Sequence, residues 1–111
     1  MRLTDGRGGP TIYSEADYPD LDNGIRRAVR VLMENGVEAF ESCEGGPGHS
    51  YTEPTVRFDG ALNAGWYAIG ICLAFGLPVL ALRRIWPVIR NEPTGPFWEV
   101  VFREQVSEAS Y

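Results

Sequence analysis

The sequence predicts an α+β domain in which two helix–strand–strand (αββ) units form a four-stranded, mainly antiparallel sheet with both helices on one face. Two segments carry apolar residues at helical spacing, and each of them ends at a glycine. Each is followed by two short segments rich in β-branched and aromatic residues. The chain has 111 residues, which is the size of one ordinary domain.

The first unit begins at Asp22-Asn23-Gly24, which offers an N-cap. Asn35-Gly36 ends the predicted helix, because glycine readily adopts the left-handed conformation of a helix C-cap. Residues 37–43 and 54–59 then read as two strands. Between the N-cap and this glycine stop, the apolar side chains lie on one face of the helix. They are Ile25, Ala28, Val29, Leu32 and Met33.

The second unit repeats this order. Asp59-Gly60 caps a predicted helix that runs to Phe75-Gly76, and residues 79–86 and 97–102 read as strands. Residues 61–82 carry no charge, but Gly76-Leu77-Pro78 interrupts the run, so we expect a helix and a strand and no membrane span.

The second helix is apolar on every side, which is typical of a helix that is covered on every side. We expect its bulky face to pack on the sheet and a ridge of small residues to allow close approach of another helix. The residues opposite the bulky face predict a homo-oligomer, the alternative being cover by the first helix or the N-terminal arm. The bulky face is Leu62, Trp66, Ile69 and Leu73, the small ridge is Ala61, Gly65, Ala68 and Cys72, and the opposite positions are Tyr67, Ile71 and Phe75.

Composition sets the expected organisation and partners. We expect residues 1–20 to be a flexible arm, residues 21–104 a single αββαββ domain, and residues 105–111 a polar tail that frays. A net charge of −5 argues against binding to nucleic acid. All ten basic residues are arginine, so a bound anion would meet planar guanidinium donors. Cys43 and Cys72 are read as reduced thiols, and the predicted location is cytoplasmic.

The loop after the first strand is the chemically distinctive segment. Its glycines allow positive φ and close approach of backbone N–H groups to phosphate or carboxylate oxygens, although a hairpin connection alone also explains them. Cys43 or Glu44 with His49 forms an alternative catalytic set, with the thiol as nucleophile and the imidazole as its base. One cysteine and one histidine do not make a structural zinc site, so we expect no metal and no cofactor. The predicted binding residues of this loop are Ser42, Cys43, Glu44, Gly45, Gly46, Gly48 and His49.

Arginines and aromatic residues of the neighbouring strands complete the predicted site. Arg57, Arg83, Arg84 and Trp86 would hold a phosphate and stack a base. Alternation sends Arg83 and Arg84 to opposite faces of the sheet. The alternative is cross-strand pairing of these arginines with Glu41 or Glu99.

The run of residues 41–49, Glu-Ser-Cys-Glu-Gly-Gly-Pro-Gly-His, together with residues 53–58, resembles a signature of small uncharacterised proteins of bacteria and their phages. Residues 76–79, 83–86 and 95–99 resemble the second half of the same family. The resemblance covers most of residues 22–103 and implies no established activity.

These observations favour a non-catalytic binding module for a small anionic, nucleotide-like ligand. A phage sponge for an immune signalling nucleotide is its most concrete form. The alternatives are a small enzyme that uses Cys43 or Glu44 with His49, and a structural or interaction protein. The chain lacks a recognisable pair of catalytic carboxylates, a triad or a metal-ligand set, and this favours binding over catalysis.

Overall fold

The computed structural model describes residues 22–108, so the predicted arm at residues 1–20 lies outside the described residues. Within residues 22–108, two helices and six strands follow in the order predicted, with one added hairpin. Their bounds are α1 Asn23–Glu34, β1 Ala39–Cys43, β2 Thr55–Phe58, α2 Leu62–Ala74, β3 Val79–Ile85, β4 Val88–Ile89, β5 Glu92–Pro93 and β6 Phe97–Phe102.

The main sheet has the strand order β1-β2-β6-β3, and every neighbouring pair is antiparallel. Strands β1 and β2 form the hairpin of the first unit, β3 and β6 form the pair of the second, and β2 joins β6 in the middle. Alternate residues of β2 and β6 are fully buried with the apolar faces of α1 and α2, which places both helices on one face of the sheet. The predicted α+β fold is confirmed.

Both helices end in the same backbone motif. Gly36 and Gly76 have φ of 90° and 70°, and their N–H groups donate to the carbonyls of Met33 and Leu73. The next residue in each case donates back to the carbonyl five positions earlier. This pattern is the Schellman motif, which satisfies carbonyls at a helix end and turns the chain toward the sheet. The two predicted glycine stops are therefore confirmed.

The predicted orientation of α2 is wrong. Gly65, Ala68 and Cys72 face the core, whereas Trp66 is 71% exposed. The reason lies in the sheet, because the Trp98 ring fills the space under the helix. A Cβ atom on Gly65 would lie 2.7 Å from ring atoms of Trp98. The bulk at this contact comes from the sheet, so the helix must present its small ridge there.

Two further expectations need correction. The second unit contains the short hairpin β4–β5 between β3 and β6, turned by Arg90 and Asn91 with φ of 54° and 66°. Positive φ at both turn residues is the type I′ geometry of two-residue hairpins.

The segment after Glu104 does not fray where it is described, up to residue 108. Val106 is buried, donates to the Gly24 carbonyl at 2.6 Å, and accepts from the Arg27 N–H at 3.2 Å. Glu108 pairs with Arg30 of α1. These contacts fasten residues 105–108 to the first turns of α1.

Within residues 22–108, neither helix combines the length and the apolarity that crossing a membrane requires.

Candidate functional site

The loop between β1 and β2 uses its glycines in two ways. Gly45 has φ of 80°, and a Cβ atom on it would lie 2.6 Å from the backbone of Glu53, so it serves close packing within the loop. Gly46 and Gly48 have φ of 105° and 81°. The Gly46 N–H donates to the Thr52 carbonyl at 3.0 Å, and a Cβ atom on Gly46 would lie 3.8 Å from the His49 ring, whereas nothing lies within 4 Å of one on Gly48. The backbone at Gly48 is therefore accessible to an approaching ligand.

Cys43 and His49 meet at the base of this loop. The thiol lies at the end of β1, is 7% exposed, and has its Sγ atom 3.7 Å from Nδ1 of His49. The backbone N–H of Gly45 donates to the same sulfur at 3.4 Å. His49 is brought back over the thiol because its own N–H donates to the Gly46 carbonyl at 3.2 Å. The sulfur therefore accepts an amide N–H and lies beside an imidazole.

Two carboxylates approach the His49 ring from different sides. Asp22 places Oδ2 3.9 Å from Nδ1, and Glu44 places Oε2 3.5 Å from Nε2. The other oxygen of Glu44 accepts the N–H of Gly24, in the first turn of α1, at 2.9 Å. The side chain of Asp22, the predicted N-cap, makes no capping bond, and Glu44 satisfies the first turn of α1 in its place.

Gly24 leaves room for this contact between loop and helix. A Cβ atom there would lie 2.7 Å from Oε1 of Glu44 and 2.6 Å from the side chain of Gln105. The absence of a side chain lets the loop, the helix N-terminus and the C-terminal segment converge. The thiol, the imidazole and the two carboxylates are held together by this packing, and all four are groups that can accept a proton or ligate a metal.

The open face of the sheet carries a second polar cluster, a row of alternating charges across all four strands. Register aligns Glu41, Arg57, Glu99 and Arg83. Arg57 donates to Glu41 and to Glu99, each at 2.9 Å, and Arg83 donates to Glu99 at 3.3 Å. This is the cross-strand pairing that the sequence left open as the alternative to ligand binding.

Aromatic rings enclose the middle of this row. The guanidinium of Arg57 lies 4.7 Å from the ring centroid of Tyr51 and 4.8 Å from that of Phe97. Tyr51 also donates to Glu41 at 2.5 Å. Burial, and then the hydrogen bond to Glu41, raise the pKa of the Tyr51 phenol well above its usual range. The Arg57 guanidinium therefore contacts two aromatic rings and two carboxylates of the protein itself.

Arg84 and Trp86 lie elsewhere. Arg84 stacks on Trp98 at 4.5 Å on the helix side of the sheet and donates to the Gly60 and Ala61 carbonyls. This confirms that Arg83 and Arg84 point to opposite faces. Trp86 is exposed just beyond β3. Strands β1 and β3 are the two edges of the sheet, so about 14 Å separates them at the usual strand spacing.

The structure therefore brings together only part of the predicted site. Ser42, Cys43, Glu44, the loop glycines and His49 are contiguous, whereas Arg84 and Trp86 are remote from them, and Arg57 and Arg83 are engaged with carboxylates. Sequence reasoning missed Asp22 at the site, because its position before a helix suggested an N-cap. No local pattern in the sequence distinguishes an aspartate that caps a helix from one that turns toward a distant loop.

Comparison with family models, curated proteins and solved structures finds no match at any of the three levels, and the resemblance of the loop signature stays a prediction.

Proposed function

We propose that this protein is a non-catalytic binding module that captures a small anionic ligand at the loop Ser42–His49. The observation that carries the proposal is the open backbone at Gly48, which is exposed, in the left-handed conformation and directly before His49. A backbone N–H in such a loop conformation suits phosphate or carboxylate oxygens, and the imidazole of His49 lies beside it.

The positions of the aromatic residues bear on which part of a nucleotide this loop would recognise. The arginine and tryptophan of β3 are too far from the loop to stack a base of a ligand whose phosphate binds there. Tyr51 belongs to the same loop, but Arg57 occupies one face of its ring. In this proposal a nucleotide of the kind that a phage sponge would capture binds through its phosphate group, and the other face of Tyr51 is the aromatic surface of the loop nearest to its base.

The experiment is a thermal-shift series with inorganic phosphate and with mono-, di- and cyclic nucleotides. A ligand at a hundred times its Kd stabilises the native state by about 2.7 kcal/mol, since it binds that state alone. We expect Gly48→Val to abolish the shift, because the new side chain would cover the open backbone. Gly36→Val is the matched control, because Gly36 also has a left-handed φ and open surroundings but lies at the end of α1.

Both variants lose stability from backbone strain, and only the loop variant should lose the response to ligand. A panel that gives no shift at millimolar concentration would overturn the proposal. Equal responses in the two variants would show that the loop is not the site.

A second candidate is a thiol enzyme, favoured by one specific observation. The sequence showed no group to orient His49, but the structure supplies Glu44 at Nε2, opposite the nitrogen that faces Cys43. Nucleophile, base and orienting carboxylate in this order are the arrangement of activated thiols. Iodoacetamide alkylation of native protein tests it, and an unreactive Cys43 in protein free of metal would exclude this candidate.

We also propose that the protein forms a homo-oligomer through α2. The face of α2 that forms the contact differs from the predicted one, which is Tyr67, Ile71 and Phe75. Tyr67 donates to the Asn35 carbonyl of α1, so its hydroxyl is engaged within the chain. Ile71 is half-buried, and Phe75 lies at the C-terminal end of the helix where Arg27 donates to its carbonyl. These three positions partly serve the contact between the helices.

The free surface is the bulky stripe of α2. Leu62, Trp66 and Leu73 are 70%, 71% and 63% exposed on a helix without a charged residue. With Tyr67 and Phe75 they expose on the order of 600 Å² of apolar surface. This is close to the roughly 800 Å² per partner of a standard interface. Trp66→Glu should convert an oligomer to a monomer in light scattering, and a monomeric wild type at high concentration would end the proposal.

A further inference from the structure

We propose that Asp22, Cys43 and His49 form a site for a divalent transition-metal ion, with zinc as the best match. One ligand atom of each residue lies within 4.8 Å of the other two. The three come from separate elements: the start of α1, the end of β1 and the connecting loop. Sequence analysis expected no metal because it counted cysteine and histidine alone, and the third ligand is an aspartate about twenty residues away.

The distances are near those of a loaded site. Zinc–ligand bonds of about 2.3 Å to sulfur and about 2.0 Å to nitrogen and oxygen, at tetrahedral angles, separate S from N by about 3.6 Å and N from O by about 3.3 Å. The corresponding separations are 3.7 Å from Cys43 to His49 and 3.9 Å from His49 to Asp22. The third separation, from the sulfur to the Asp22 carboxylate, is up to 4.8 Å, against about 3.5 Å in a loaded site. Closure therefore requires Asp22, at the exposed edge, to move by about 1 Å toward the thiol and the imidazole.

The choice of ring nitrogen distinguishes a metal site from a catalytic triad. Cys43 and Asp22 approach the same atom, Nδ1 of His49. A catalytic base needs only one partner at that nitrogen, namely the group whose proton it takes. A metal ion would instead lie between Nδ1, the Cys43 thiol and the Asp22 carboxylate. The opposite nitrogen, Nε2, faces Glu44, which is anchored by the Gly24 N–H. A carboxylate behind a ligating imidazole fixes its orientation in most histidine–metal sites.

The chemistry of the donors selects the ion. A thiolate and an imidazole favour zinc and neighbouring transition metals over Mg²⁺ and Ca²⁺, which prefer oxygen alone. The N–H of Gly45 donates to the sulfur and orients it toward the imidazole. Three protein ligands leave a fourth position for water or an exogenous ligand.

The open position connects the metal with the loop. Two carboxylates and a thiolate would otherwise repel an anion, and a dication offsets two of these charges. The anion of the proposed function would then bind at the fourth position beside Gly48. This part rests on the proposed function, whereas metal binding does not.

The test uses the full chain, stripped with a chelator and titrated with Co²⁺ and then with Zn²⁺. We expect one Co²⁺ per chain with tetrahedral d–d bands and a thiolate-to-metal charge-transfer band, displaced by Zn²⁺. Cys43→Ser should remove the charge-transfer band, and His49→Ala should weaken Co²⁺ affinity at least tenfold. Glu44→Gln should weaken it about 10- to 100-fold, as loss of an orienting partner does. Cys72→Ala, at the buried cysteine of α2, is the control and should bind as the wild type does.

No Co²⁺ binding by the wild type, or a charge-transfer band that survives Cys43→Ser, would overturn the metal site. His49 lies on an exposed loop, so His49→Ala keeps the test valid if another variant fails to fold. Adding inorganic phosphate to the Co²⁺-loaded protein separates the two proposals. A spectral change supports the anion at the open position, and an unchanged spectrum leaves the metal site standing and overturns the anion.

Discussion

Replacing Arg57 with methionine tests whether the charge row on the open face of the sheet holds a buried carboxylate in place. The Glu99 side chain is only 5% exposed and receives Arg57 at 2.9 Å and Arg83 at 3.3 Å. Arg57 is 26% exposed and Arg83 is 52% exposed. Burial disfavours the charged form of Arg57, but its bond to Glu99 and the charges around it prevail, and the pKa of the guanidinium is raised.

The magnitude follows from what each change leaves behind. Removing one partner of a buried pair costs about 3–5 kcal/mol, because the other charge stays buried without compensation. Arg83 remains as a weaker partner for Glu99, so we expect Arg57→Met to cost about 3 kcal/mol, including the lost contacts with Tyr51 and Phe97. Arg83→Met breaks a half-exposed pair and should cost less than about 1 kcal/mol.

The assay is urea unfolding of three proteins, Arg57→Met, Arg83→Met and the double variant Arg57→Met/Glu99→Met. The double variant should be more stable than Arg57→Met alone, because it also removes the buried carboxylate that Arg57→Met leaves without its main partner. A loss of about 3 kcal/mol lowers Tm by about 15 °C in a domain of this size. Equal losses for Arg57→Met and Arg83→Met, or a double variant less stable than Arg57→Met, would refute this account of the row.

Two further predictions concern packing and pH. Gly65→Ala should destabilise the protein by about 1–3 kcal/mol, because its Cβ would lie 2.7 Å from the Trp98 ring. Gly70→Ala, in the same helix with open space around it, should stabilise by about 0.5–1 kcal/mol, and urea unfolding compares the two. The hydrogen bond from Arg30 lowers the pKa of Glu108, so its contribution is present above the unfolded value of about 4.5 and is lost as pH falls through the lower, folded value. Glu108→Gln should therefore cost under about 1 kcal/mol at pH 7 and less at about pH 3 in urea titrations, and an undiminished difference at the lower pH would contradict this.

The sequence predicted the main elements because their signals are local. Glycine stops at Gly36 and Gly76 and apolar periodicity within each segment do not depend on distant residues. The hairpin β4–β5 was not predicted because the pair Arg90-Asn91 indicates a type I′ turn much more weakly than Asn-Gly does. The orientation of α2 depended on Trp98, more than thirty residues away, and no local pattern reports how large the opposing side chain is.

The candidate site was predicted in part for a similar reason. Cys43, Glu44 and His49 are close in sequence, so their proximity could be anticipated. The presence of Asp22 depends on how α1 packs against β1, and the placement of Arg84 on the helix side, away from the loop, depends on strand order. Sequence also could not decide whether Arg57 binds a ligand or pairs with Glu99, because both uses require the same residue types.

The strand order has a consequence for synthesis on the ribosome. Strand β6, Phe97–Phe102, lies between β2 and β3 in the sheet but is the last of the described strands to be translated. Strands β2 and β3 are not neighbours, so the sheet stays in two parts until β6 has left the exit tunnel, although helix contacts such as that of Tyr67 with Asn35 can form earlier. Only then can Val106, a few residues later, reach the first turn of α1. The growing chain therefore presents unpaired strand edges for most of its synthesis, which is when such a protein is most exposed to aggregation.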